Sequence, residues 1–174
     1  MGKGLKRSMK MGASPANHTI IKHRVAVSDL AVSTLGATGV GWGTAVMGDL
    51  PEGNILFLGA VSYMTFSGQT DANLGDTWAG DYGIGTTPAD DATISAADVD
   101  IIQSTALAAA TAEVSPRTRG VHLLADSGDV LDNTDGSLEL NLNLLIDDAD
   151  IGADSIVLLA TGEVEILFAV LLDD

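Results

Sequence analysis

Ser137-Leu138-Glu139-Leu140-Asn141-Leu142-Asn143-Leu144-Leu145-Ile146 sets leucine against a polar residue at almost every second position. Successive side chains leave a strand on opposite faces, so this stretch reads as a β-strand. Leu138, Leu140, Leu142 and Leu144 are expected on a buried face, Glu139, Asn141 and Asn143 on a wet one. Around it, residues 119–125, 155–160 and 163–172 read as three further strands, with Thr161-Gly162 where a tight hairpin turn belongs. Residues 54–67 (NILFLGAVSYMTFS) carry the strongest strand signal, dense in β-branched and aromatic residues, with Gly59 as a bulge. Asp49-Leu50-Pro51-Glu52-Gly53 before it is a turn. Residues 24–33 suit one or two short strands, and residues 68–88 are loop-rich with short strands near 77–79 and 81–84.

Residues 96–112 are open to two readings. Ser95-Ala96-Ala97-Asp98 has capping-box spacing, with Val99, Ile102 and Ala106 at helical intervals behind it, which suits one short helix. Residues 98–104 (DVDIIQS) equally suit a short strand. With seven to nine short strands between Gly- and Asp-rich turns, the expected fold is all-β: an antiparallel β-sandwich, jelly-roll-like in the broad sense.

At 174 residues the chain has room for one domain with a real core. The absence of cysteine removes disulfides, thiolate metal sites and thiol nucleophiles. No apolar run reaches the length of about 18 residues needed for a membrane-spanning helix. The net charge of −16 hides an asymmetry. Residues 1–24 hold Lys3, Lys6, Arg7, Lys10, Lys22 and Arg24 and no acid. Residues 25–174 hold only Arg117 and Arg119 against all 24 acids, a formal −22. The expected organisation is a basic, flexible arm over 1–24, with residues 12–19 as its linker, leading into an acidic sandwich over 25–174. An acidic body argues against nucleic acid, so the six basic residues are read as a protein-binding arm, with Leu5, Met9, Met11, Ile20 and Ile21 as apolar anchors.

Catalytic patterns are weak. Asp126-Ser127-Gly128 resembles an aspartic-protease loop, but it occurs once and is followed by the charged Asp129. His122 lies outside residues 1–24, unlike His18 and His23, and no G-x-S-x-G elbow accompanies it. Gly36, Gly39, Gly41 and Gly43 lack both the spacing and the βαβ context of a dinucleotide site. The runs Asp126, Asp129, Asp132, Asp135 and Asp147, Asp148, Asp150, Asp154 do not fit a calcium loop and read as solvated turns. The expectation is no enzyme, no cofactor and no metal.

Residues 49–60 (DLPEGNILFLGA), 85–104 (GTTPADDATISAADVDIIQS) and 137–174, with their DDADIGAD run and closing Gly162-Glu163-Val164 strand, resemble tailed-bacteriophage head decoration, or capsid cement, proteins. The resemblance spans most of 45–174 and rests on turn-and-strand patterns without chemistry. It implies a virion structural protein on the outer surface of the capsid, a homotrimer that binds the major capsid protein and stabilises contacts between its subunits. The alternative is a carbohydrate- or surface-binding sandwich of a tail fibre or adhesin, which would require an exposed aromatic platform.

Overall fold

The computed structural model describes residues 20–37, 39–68, 74–75, 77–111, 114–122, 130–148 and 156–171. Nine strands form one antiparallel sheet: β1 (Ile20–Ala37), β2 (Val40–Asp49), β3 (Gly53–Gly68), β4 (Ala79–Gly85), β5 (Ile102–Ala106), β6 (Thr118–His122), β7 (Val130–Asn133), β8 (Glu139–Asp147) and β9 (Ile156–Leu171). Their order is β5-β4-β8-β2-β1-β9-β3-β6, with β7 also on β3. The sheet folds over at β1 and β2, which pair only from Ser33↔Thr44 to Ala37↔Val40. One layer is then β1, β9, β3, β6 and β7, and the other is β2, β8, β4 and β5. The expected antiparallel sandwich is thus a single sheet, nearly closed like a barrel.

The core lies between the layers. Leu140, Leu142, Leu144 and Ile146 of β8 face Met64 and Phe66 of β3 and Val164, Ile166 and Phe168 of β9, all essentially inaccessible. Tyr82 of β4 crosses to β3, where its hydroxyl meets Ser62 at 2.8 Å and its ring lies 5.6 Å from that of Phe66. Burial raises the Tyr82 phenol above its ordinary value. The seam between β5 and β6 is closed by side chains, at Gly120. A Cβ there would lie 2.6 Å from Ile102 Cγ2 and 2.7 Å from both Ser62 Oγ and Tyr82 Oη.

Several expectations need correction. The helix expected over residues 96–112 is absent from 96–111, the described part: the capping box of Ser95 and Asp98 forms, but it starts only the 3-10 turn Ala96–Asp98, and Ile102–Ala106 is β5. Pairing with β4, from Asp81↔Ala106 to Ile84↔Ile102, outweighs the helical spacing of three apolar residues. Thr161-Gly162 is not a hairpin turn but the middle of the 16-residue β9. There the glycine serves close approach, since a Cβ would fall 2.1 Å from the Tyr63 carbonyl oxygen. The first strand starts at Ile20, inside the segment assigned to the arm, because residues 20–27 pair with β9 from Ile20↔Ala169 to Val27↔Gly162. The bulge in β3 falls between Phe57 and Gly59 as expected.

Asn141 and Asn143 are not wet; they are 3% and 0% exposed. Residues 86–101 cross the outer face of β4 and β8. The Asn143 amide donates to the carbonyls of Thr87 at 2.9 Å and Asp98 at 2.8 Å, and its oxygen accepts from Ala89 N–H at 2.9 Å. Gly83 and Gly85 on β4 let this segment lie flat, against Val99 and against the Ala97 and Asp98 backbone.

Candidate functional site: the uncovered sheet face

Among the described residues, the chain covers the outer face of β4 and β8 itself, while β2 keeps Val46 exposed and Trp42 half-buried on that side. Among the described residues, no segment packs across β1, β9, β3 and β6 as residues 86–101 pack across β8. The register fixes what this face presents. Ile20, Ala169, Leu56 and Val130 form one row across four strands. Arg24, Glu165, Val61 and Val121 form another, and Ala26, Glu163, Tyr63 and Arg119 a third. The face therefore has an apolar end next to the start of β1 and a charged belt across its middle. Ile20, Val130 and Leu167 are exposed at this end, as Leu35 and Val46 are elsewhere on the sheet, and here they adjoin the charged belt.

All the lysine and arginine among the described residues, Lys22, Arg24, Arg117 and Arg119, belongs to this belt. Lys22 Nζ lies 2.7 Å from Glu165 Oε1. Arg24 donates from Nε to Glu163 Oε2 at 2.9 Å and from its second guanidinium nitrogen to the same oxygen. That hydrogen bond, then the carboxylate's charge, raises Arg24 above its ordinary value. Arg117 reaches Glu163 Oε1 at 3.7 Å and stacks over the Tyr63 ring at 4.9 Å. Four cations against Glu163 and Glu165 leave a surplus of two positive charges. Two concavities open here. The larger, about 490 Å³, is lined by Lys22, Leu58, Val61, His122, Glu165 and Leu167. The smaller, about 350 Å³, lies among Val27, Thr65, Arg117, Thr161 and Glu163. His122 rests edge-on against Phe57 at 4.9 Å, and neither ring nitrogen has a hydrogen-bond partner among the described residues.

The structure brings Lys22 and Arg24 onto this face, in β1 and engaged with β9, while Lys3, Lys6, Arg7 and Lys10 lie outside the described residues. Arg117 and Arg119 were not singled out from sequence, although being the only cations after residue 24 could have marked them. Asp126, Asp129, Asp150 and Asp154 also lie outside the described residues. Asp132 and Asp135 close turns by accepting from Thr134 and Ser137, and Asp148 accepts from Gly75 N–H at 2.7 Å. Among the described residues no three His, Asp or Glu side chains are placed to share a metal ion.

The opposite charge collects at one end of the sandwich. The β2–β3 and β7–β8 turns are tied together by Asn133, whose amide donates to the Leu50 and Pro51 carbonyls at 3.1 and 2.9 Å. This pole carries exposed Asp49, Glu52, Asp132, Asp135 and Glu139 and no cation among the described residues. Comparison with family models gives no match for this chain, and comparison with curated proteins gives none either.

Proposed function

We propose that the chain is a virion structural protein of the head-decoration kind, docking on the outer surface of a capsid and stabilising contacts between major capsid subunits as a homotrimer. The observation that carries this reading is the asymmetry among the described residues: residues 86–101 cover β4 and β8, whereas β1, β9, β3 and β6 present an apolar end and a cationic belt with no segment across them. An exposed apolar patch beside a charged belt supports a protein docking surface, the patch supplying burial and the belt orientation. Residues 1–19, which carry Lys3, Lys6, Arg7 and Lys10, precede Ile20 in the chain, and Ile20 lies at the apolar end. Nothing in the belt arranges a nucleophile with a base. Of the aromatic residues, Trp78, Tyr82, Phe57, Phe66 and Phe168 are buried, Tyr63 is capped by Arg117, and half-buried Trp42 is one ring rather than the extended platform a sugar-binding sandwich would use.

Electron microscopy of particles assembled with and without the chain tests the reading directly. Added density on the outer capsid surface is the expected result. Deleting residues 1–17, or replacing Leu167 with Glu, should leave circular dichroism unchanged and lower occupancy. Particles that never acquire the chain would refute the proposal.

A further inference from the structure

We propose that the cationic belt of one copy seats the acidic pole of a second copy, in a head-to-tail contact. The proposal rests on reading the bare face as a docking surface and names the occupant of its charged half. The argument is charge complementarity within one chain. The belt holds every lysine and arginine of the described residues, and the pole brings together five carboxylates from two turns held by Asn133. Belt and pole occupy different rows of the sheet, the belt at Glu163 and Glu165 and the pole at the β2–β3 and β7–β8 turns, and among the described residues no ion pair joins them. Both are built on rigid elements, the belt on paired strands and the pole on a hydrogen-bonded double turn. Opposed potentials of this kind select orientation and suppress like-to-like contacts. A heterologous contact of this type closes into a ring when its rotation permits.

The division also leaves a use for the rest of the face. Ile20, Leu56, Val130 and Leu167 lie toward the end where residues 1–19 join, so the apolar end stays free for the particle while the belt holds the neighbouring copy. Within the belt, Glu163 is already occupied by Arg24 and Arg117, whereas no carboxylate contact is recorded for Arg119, which stands beside Tyr63 in the register. Arg119 and Arg117 are therefore the groups to reverse.

Sedimentation velocity of the full chain over a concentration series supplies the test, with thermal melts to check that each variant folds. Wild type should self-associate. Arg117→Glu with Arg119→Glu should weaken that association at least about tenfold, and so should Glu52→Lys with Glu139→Lys. Mixed together, the two variants should form a one-to-one pair, because the first keeps an intact pole and the second an intact belt. A wild type that stays monomeric at all concentrations overturns the inference. So does association that ignores both reversals, or a mixture that does not pair. Particle decoration is scored separately, so a failure here leaves the docking reading standing, and absent decoration would remove that reading whatever the sedimentation shows.

Discussion

Asn143, in the middle of β8, donates its side-chain amide to the backbone carbonyl of Asp98 at 2.8 Å. This one contact, with its companions to Thr87 and Ala89, makes two layers of equal origin behave differently. The outer face of β8 becomes interior, whereas among the described residues no segment crosses the outer face of β9.

Replacing Asn143 with Leu should therefore do more than remove three hydrogen bonds. It leaves two carbonyls and one N–H at part-buried positions without this partner, and the expected loss is about 2 kcal/mol. Denaturant unfolding measures the loss. Hydrogen exchange should show protection falling first in residues 86–101, while β9 keeps its own.

The seam at Gly120 yields a pair of opposite expectations. Gly120→Ala forces a methyl into contacts of 2.6–2.7 Å with Ile102, Ser62 and Tyr82. Two of these neighbours are the buried hydroxyls that join β3 to β4, so the cost should be about 2 kcal/mol. Gly48→Ala meets only Val25, at 3.8 Å, an ordinary contact. It should raise stability by about 0.5 kcal/mol by restricting the unfolded chain. Melting temperatures of the two variants should move in opposite directions from wild type.

Three carboxylates give the pH dependence. The Thr134 hydroxyl, then its N–H, holds Asp132 below its ordinary value of 3.8, and Ser137 does the same for Asp135. Their contribution is present above that ordinary value and is lost as pH falls through the depressed ones. Asp100 runs the other way: burial pushes it up, against hydrogen bonds from the Thr86 hydroxyl and N–H. Its contribution is present below the ordinary value and is lost as pH rises through the raised one. The Asp132→Asn, Asp135→Asn double variant should flatten the melting curve below about pH 4, and Asp100→Asn should flatten it above. Melting temperature against pH separates the two.

How far these features could be read in advance depends on the range of the interactions behind them. Leu138 to Leu144 declared β8 by local alternation, and the Gly59 bulge declared itself by composition. Asn143 could not be recognised as buried, because its partners are 45 and 56 residues distant. Thr161-Gly162 has turn chemistry but fills a strand, because partners on both sides, β1 and β3, outweigh local preference. β7 was read as solvated turn because Asp132 falls inside four residues whose strand character comes only from β3. The bare face was half legible. Charge counting assigns Lys22 and Arg24 to the arm and gives Arg117 and Arg119 no role, and only the register, with Tyr63 opposite Arg119 and Glu165 opposite Arg24, places the four together.

The acidic pole provides the last expectation. Asp49 and Glu139 are direct cross-strand partners at the end of the β2–β8 ladder, so both side chains leave the same face of the sheet, and both are exposed. Like charges at that position oppose pairing by roughly 0.2–1 kcal/mol. Glu52, Asp132 and Asp135 belong to the same pole, and among the described residues no cation stands with them to soften the field. Glu139→Gln should therefore stabilise the protein by about 0.5 kcal/mol at low salt. The gain should shrink as the Debye length falls to about 8 Å near physiological ionic strength and vanish near 1 M. Wild type should itself melt at a higher temperature as salt rises from low to moderate, and Glu139→Gln should show a shallower rise. Equal salt slopes for the two proteins would mean that the ladder end carries no repulsion and that the pole's charges act on partners alone.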